Sequence, residues 1–172
     1  MERETDQTMA IGLGRSHLGM FLVASSGKGI CAILLGDSED DLLRELAREF
    51  PGARWQSGGR DDDHVMQSVG QLIERPAGKF ELPLDTNGGD FEQLTRAAIR
   101  ATPAGEIVSP DEIAKMVGAS GDSARYVAEL CTRNVIAVAI PCHRVGYPDG
   151  TRLLYRWGEQ RRRALLEREM LG

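Results

Sequence analysis

Cysteine is scarce in this chain: its 172 residues include three, Cys31, Cys131 and Cys142. They are too few and too widely spaced for a disulfide framework, and no Cys-x-x-Cys pair offers a zinc site. No metal or cofactor site is expected, and each thiol is either core filler or a reactive group. Long apolar runs are also missing, none approaching the roughly 18 to 20 residues of a membrane span. With 41% apolar and 27% charged residues, the composition is that of an ordinary soluble globular chain rather than a disordered or membrane-spanning one. The first residues, Glu2, Arg3, Glu4 and Asp6, supply no basic stretch before an apolar core. No secretory signal is visible, and a cytoplasmic protein is expected. An excess of positive charge is the last absence, since the net charge is −5, which argues against a generic nucleic-acid binder. The charge is unevenly shared, however. Residues 1–85 carry 9 Lys and Arg against 15 Asp and Glu, a net of −6, and residues 86–172 carry 12 against 11, a net of +1. The C-terminal half is the better candidate for an anionic partner.

What is present is a series of local structural signals. Residues 1–9 are polar and expected to fray. Apolar runs over 20–24 and 30–35 flank the turn residues Ser26, Gly27, Lys28 and Gly29, which predicts a β-hairpin. Ser38 with Asp41 three residues on opens a helix whose apolar positions Leu42, Leu43, Leu46, Ala47 and Phe50 recur at helical spacing before Pro51. Asp61, Asp62 and Asp63 read as the solvated N-terminus of another helix rather than metal ligands, because Val65, Val69, Leu72 and Ile73 follow on one helical face. A short strand over 79–84 leads into Gly88 and Gly89, after which the pattern is helical. This places a domain boundary near residue 87, giving domains 1–87 and 88–172.

In the second half, Phe91, Leu94, Thr95, Ala98 and Ile99 share one helical face. Ser109, Pro110 and Glu112 combine a cap, a first-turn proline and a capping box ahead of a helix over 110–117. A turn over 118–121 and a further helix over 122–133 complete a helix-turn-helix spacing. The pattern alone is weak, since many helical hairpins bind nothing. After Asn134 an apolar, strand-like run over 135–140 ends in Pro141, Cys142, His143, Arg144 and Val145. A thiol beside an imidazole is either an ordinary buried cysteine with an incidental neighbour or a nucleophile with its base.

The string Ile140-Pro141-Cys142-His143-Arg144-Val145, with Asn134 eight residues before the cysteine, resembles the acceptor-site signature of the O6-alkylguanine-DNA alkyltransferases. Residues 29–37 and Leu82-Pro83-Leu84-Asp85 are similar to the alkyltransferase portion of Ada proteins, as are Tyr155-Arg156-Trp157-Gly158-Glu159 and residues 164–169. The resemblance runs from about residue 19 to 170. It implies an α/β N-terminal domain with a small antiparallel sheet, ribonuclease H-like, and a mostly helical C-terminal domain with a winged-helix-like helix-turn-helix. The implied activity is direct repair of O6-methylguanine by irreversible, stoichiometric transfer of the methyl group to Cys142. His143 would be the base, Glu169 would orient it, and Asn134 would tie the recognition helix to the active-site turn. By the same resemblance Arg125, Tyr126, Ala124 and Ser109 lie on the DNA side, Arg125 filling the gap left by a flipped base. Tyr155, Pro141, Val145 and Arg156 form the substrate pocket. The implied partner is double-stranded DNA carrying alkylated guanine, bound from the minor groove without sequence preference by a monomer. Cys31 and Cys131 are expected to fill the core.

Departures from the family pattern fall on the DNA and base side. Pro110 stands where a tyrosine usually follows the serine, Tyr126 where a small residue follows the arginine, and Leu154 where glycine precedes Tyr155. Val135 replaces a proline, Thr95-Arg96 replaces Val-Trp, and Glu129 adds negative charge to the presumed DNA-facing helix. An intact thiol machinery with an altered pocket leaves two alternatives open. One is a diverged member using Cys142 on a non-duplex or small-molecule substrate. The other is a lesion-recognition module, although such modules lack the acceptor cysteine.

Overall fold

The computed structural model describes residues 8–119, 122–151 and 153–172. The turn after Ser26 closes an antiparallel pair, β2 (Gly19–Ser26) and β3 (Gly29–Gly36). Strand β1 (Thr8–Ser16) pairs antiparallel with β2, and β4 (Arg54–Ser57) joins parallel to β1, so the order is β3-β2-β1-β4. The sheet is therefore mixed rather than purely antiparallel, because the chain enters β4 by a crossover through a helix and not through a hairpin. Thr8 and Met9, expected to fray, begin β1 and Met9 is buried; residues 1–7 lie outside the described residues. That crossover helix, α1 (Glu39–Glu49), packs Leu42 and Leu46 against the sheet and is capped by the Ser38 hydroxyl, which accepts from the Asp41 N–H at 3.2 Å. Helix α2 (Arg60–Glu74) lies against β1 and buries Val69, Leu72 and Ile73. Asp61, Asp62 and Asp63 sit in its first turn, where the helix dipole favours negative charge.

β3 is an edge strand, and later segments cover its open edge. The Ile30 N–H donates to Pro83 O at 2.9 Å and the Asp85 N–H to Ile30 O at 2.8 Å. Further along, the Ile33 N–H donates to Val135 O at 2.8 Å and the Ala137 N–H to Ile33 O at 2.9 Å. Residues 79–84 and 135–140, expected as strands, each meet the sheet at a single bridge instead. Pro83 has no N–H to extend a ladder, and Val138 turns the second run away with a left-handed φ of 66°. A bare edge would invite pairing with another chain; here it anchors the segment that leads to Cys142.

Beyond residue 89 come α3 (Asp90–Arg100), α4 (Pro110–Met116), α5 (Ser123–Thr132), a 3-10 turn (Cys142–Arg144) and α6 (Glu159–Met170). The Ser109 hydroxyl accepts from the Glu112 N–H at 3.1 Å while the Glu112 carboxylate accepts from the Ser109 N–H at 2.9 Å, completing the expected capping box. α4 and α5 pack on one another as a helix-turn-helix. The turn expected over 118–121 includes Ser120 and Gly121, which lie outside the described residues. Among the described residues no helix is long and apolar enough to cross a membrane.

Gly29 holds the hairpin against the linker. Its φ is +147°, and an added Cβ would lie 2.5 Å from Pro83 O. Gly29→Ala is expected to destabilise by about 1 to 3 kcal/mol, read as a lower urea midpoint. Gly27→Ala, where a Cβ meets nothing within 4 Å, should leave the midpoint nearly unchanged.

Candidate active site

The irregular run before Cys142 has backbone groups to satisfy, and one side chain serves three of them. Asn134 Nδ2 donates to Ile136 O and to Ile140 O, each at 3.2 Å, and its Oδ1 accepts from the Ile136 N–H at 3.0 Å. Cys142 then opens the 3-10 turn with its N–H on Ile140 O at 2.7 Å. On the far side, the Val108 N–H donates to Arg144 O and the Gly146 N–H to Val108 O, both at 2.9 Å. The turn is thus pinned at both ends.

His143 is fully buried. Its Nε2 lies 2.6 Å from Glu169 Oε1, and Arg144 Nε donates to the same oxygen at 2.8 Å. The Gly105 N–H donates to the other carboxylate oxygen at 2.9 Å. Arg144 also donates to Thr102 O at 2.7 Å and to Pro76 O at 3.1 Å, and Arg162 donates to the His143 carbonyl at 3.1 Å. Burial opposes the charge on Glu169, but the hydrogen bonds from His143 and Arg144 outweigh it and hold the carboxyl below its usual value. Burial pulls His143 below its usual value against the influence of Glu169, so the imidazole rests neutral. An ionised Glu169 takes the Nε2–H, which leaves Nδ1 as the proton acceptor. Nδ1 is the ring nitrogen with no partner among the described residues.

Cys142, with Cys131, Val145, Leu153 and Tyr155, lines a cavity of about 250 Å³ whose rim includes Arg125. The Cys131 thiol in the same cavity, together with burial, pushes the Cys142 thiol well above its usual value. Cys142 therefore rests as a neutral thiol. The Tyr155 hydroxyl is buried with no partner among the described residues, and its ring stands edge-on to Trp157 at 5.6 Å. Pro141 and Arg156 do not line this cavity. Pro141 borders a separate one beside Pro76 and Thr102, and Arg156 turns to α1, donating to Glu45 at 2.9 Å and Glu49 at 2.6 Å.

On the outer face, the Arg125 side chain is 81% exposed and its Nε lies 3.2 Å from Glu129. Tyr126 and Leu154 are exposed at 58% and 79%. Ala124 is partly buried, and Ser109 is buried with its hydroxyl occupied as a cap, away from the cavity. Sequence reasoning did not anticipate Arg144 as a ligand of Glu169, Arg162 behind His143, or the placement of Cys131 beside Cys142. The first two are long-range contacts, and only the Cys-His-Arg succession hinted at one of them. Among the described residues no three His, Cys, Asp or Glu side chains are grouped as metal ligands.

Comparison with known proteins agrees with this geometry. Residues 9–86 match the ribonuclease-like domain, and residues 90–171 the DNA binding domain, of 6-O-methylguanine DNA methyltransferase. The chain is 42% identical over 160 residues to the bifunctional transcriptional activator/DNA repair enzyme Ada of Escherichia coli, covering 91% of this chain and 44% of that protein. It thus spans less than half of that relative's length. It is 43% identical over 154 residues to the methylated-DNA–protein-cysteine methyltransferase of Mycobacterium tuberculosis, covering 90% of this chain and 88% of that one. The crystal structure of Mycobacterium tuberculosis OGT in complex with DNA superposes with a TM-score of 0.71 at 27% identity, covering 95% and 92% of the two chains.

The buried network makes stability acid-sensitive. His143 binds a proton less readily folded than unfolded, so stability falls as pH drops below 6.5. Glu169 is lowered in the folded state, so its contribution is present above 4.5 and lost as pH falls further. Glu169→Gln is expected to cost about 3 to 5 kcal/mol at neutral pH, since it leaves Arg144 buried without its counter-charge. Its acid decline below pH 4.5 in urea unfolding should be shallower than wild type, because Glu74 keeps a lowered carboxyl but Glu169 no longer contributes.

Proposed function

The chain belongs to the 6-O-methylguanine DNA methyltransferase family, and on that premise we propose that it repairs O6-methylguanine in double-stranded DNA by a single, irreversible transfer of the methyl group to Cys142. The observation that carries this reading is a buried thiol lining a small cavity next to a histidine whose other nitrogen is committed to a buried carboxylate. Cys142 gives its proton to His143 Nδ1 through a water. Its sulfur then displaces the methyl carbon in line: the S–C bond forms, the C–O6 bond breaks, and the electron pair stays on guanine O6. Because His143 and Cys142 both rest neutral, proton transfer accompanies substrate entry rather than preceding it. The product thioether has no leaving group that water displaces at neutral pH, so each molecule acts once.

In this reading residues 1–87 form the α/β domain and 88–172 the DNA-binding and acceptor domain. Asn134, Cys142, His143 and Glu169 carry the chemistry. Tyr155 and Val145 bound the alkyl pocket, while Pro141 and Arg156 lie outside its lining. The target base leaves the duplex and Arg125 fills the gap, with Tyr126, Ala124 and Ser109 on or beneath the minor-groove face. The protein works as a cytoplasmic monomer without sequence preference. The exposed Tyr126 and Leu154, beside a proline at residue 110, favour a second reading in which Cys142 takes its alkyl group from a different donor.

Intact-protein mass spectrometry after incubation with a duplex holding one O6-methylguanine tests the choice. Wild type is expected to gain about 14 Da and Cys142→Ala nothing. No gain, with thiol probes still labelling Cys142, would remove the repair assignment. A second expectation concerns the Arg125–Glu129 pair, which lays the arginine along the helix. Glu129→Gln should bind duplex DNA roughly 3- to 10-fold more tightly at low salt, with a steeper salt dependence, as read by fluorescence anisotropy.

A further inference from the structure

Cys131 has no part in the transfer, yet it shares the cavity of Cys142. The two residues are 8% and 5% exposed, and both thiols are free. They come from different elements, Cys131 near the end of α5 and Cys142 at the start of the 3-10 turn, and Asn134 fixes the run between them through its three backbone hydrogen bonds. Both side chains line the same cavity of about 250 Å³, and each acts electrostatically on the other. The third cysteine is set apart: the Cys31 thiol donates to Ala24 O at 3.3 Å and lies 3.7 Å from the Met9 sulfur.

We propose that Cys131 and Cys142 form a hydroperoxide-responsive dithiol, in which Cys131 resolves oxidised Cys142 as an intramolecular disulfide. In the first step Cys142 Sγ attacks one peroxide oxygen: the S–O bond forms, the O–O bond breaks, and the thiol proton leaves with the departing oxygen as water or alcohol. In the second step Cys131 Sγ attacks the sulfenic sulfur: the S–S bond forms, the S–O bond breaks, and the Cys131 proton completes a second water. Each sulfur loses one electron and the peroxide gains two. A sulfenic acid with no thiol beside it proceeds to sulfinic acid, which thiol reductants do not reverse. For a protein whose acceptor is used once, that loss would be permanent. Capture by Cys131 keeps the oxidised form reducible. Transient disulfides of this kind fit a reducing compartment, where structural ones do not persist. The inference goes beyond the repair assignment and holds whichever alkyl donor Cys142 serves.

The test exposes the full chain to hydrogen peroxide, alkylates the remaining thiols with iodoacetamide under denaturing conditions, and digests with trypsin without reduction. Wild type is expected to lose about 2 Da before alkylation and to yield peptides 126–133 and 134–144 joined, with Cys31 carrying the label. Dithiothreitol should restore labelling of Cys142. In Cys131→Ser, Cys142 should gain about 32 Da as sulfinic acid and remain unlabelled after reduction. Absence of the joined peptides from oxidised wild type would overturn the proposal. So would full recovery of Cys142 by dithiothreitol in Cys131→Ser. The wild-type peptide map stands even if that variant fails to fold, and Cys31→Ser is expected to keep the link. A link that instead required Cys31 would contradict the assignment.

Discussion

A single buried carboxylate organises the acceptor half of this molecule. Glu169, its side chain fully out of solvent, binds His143, Arg144 and the Gly105 N–H. Taking a charge into the interior is costly unless it is paired and its lone pairs are used. Here Arg144 supplies the compensating charge and the three donors use the lone pairs. Arg144 in turn holds the carbonyls of Pro76 and Thr102, so the same charge pair ties the C-terminal helix, the active-site turn, the end of α3 and the linker from the N-terminal domain. The orientation of the imidazole follows from this pairing, and the freedom of Nδ1 follows from the orientation.

The same construction explains why the thiol is stored rather than activated. A charged imidazolium beside Cys142 would stabilise a thiolate at rest. Burial keeps His143 neutral, and the Cys131 thiol in the same cavity adds to burial in keeping Cys142 protonated. Under the proposed single transfer, a permanently ionised thiolate would be exposed to every passing electrophile. A neutral thiol with a base in waiting reacts slowly until an electrophile, whether the alkylated base of the proposed repair or a hydroperoxide, enters the cavity. Among the described residues the N-terminal domain contributes no side chain to that cavity, yet it positions it. The edge of β3 carries the run ahead of Cys142, and α1 holds Arg156, next in the chain to Tyr155, through Glu45 and Glu49.

Most helices were legible in the sequence because their signals are local. Ser38 and Ser109 cap where their spacing to Asp41 and Glu112 predicts, and the apolar faces of α1 and α2 are the buried ones. The sheet was half legible. β2 and β3 are continuous apolar runs on either side of a turn, but β1 has Gly12 at its centre, where a Cβ would lie 2.4 Å from the Met66 sulfur. A residue kept small for a neighbour on another element breaks the pattern that marks a strand. Residues 79–84, with apolar and charged side chains in alternation, and the apolar run 135–140 look like strands but cover an edge through one bridge each. In the site, Asn134, Cys142, His143 and Glu169 were legible through resemblance to a family, not through spacing. Arg144, Cys131 and the outward turn of Arg156 depend on contacts distant in sequence, which no local pattern encodes.

The central claim is that the acceptor rests as a neutral thiol and is deprotonated only as substrate enters. Titrating thiolate ultraviolet absorbance in wild type against Cys142→Ser measures it directly. The account predicts that the absorbance due to Cys142 appears only above pH 9 in the free protein, beyond the ordinary cysteine value. A Cys142 thiolate already present at neutral pH would contradict it and make His143 a standing counter-ion instead of a base.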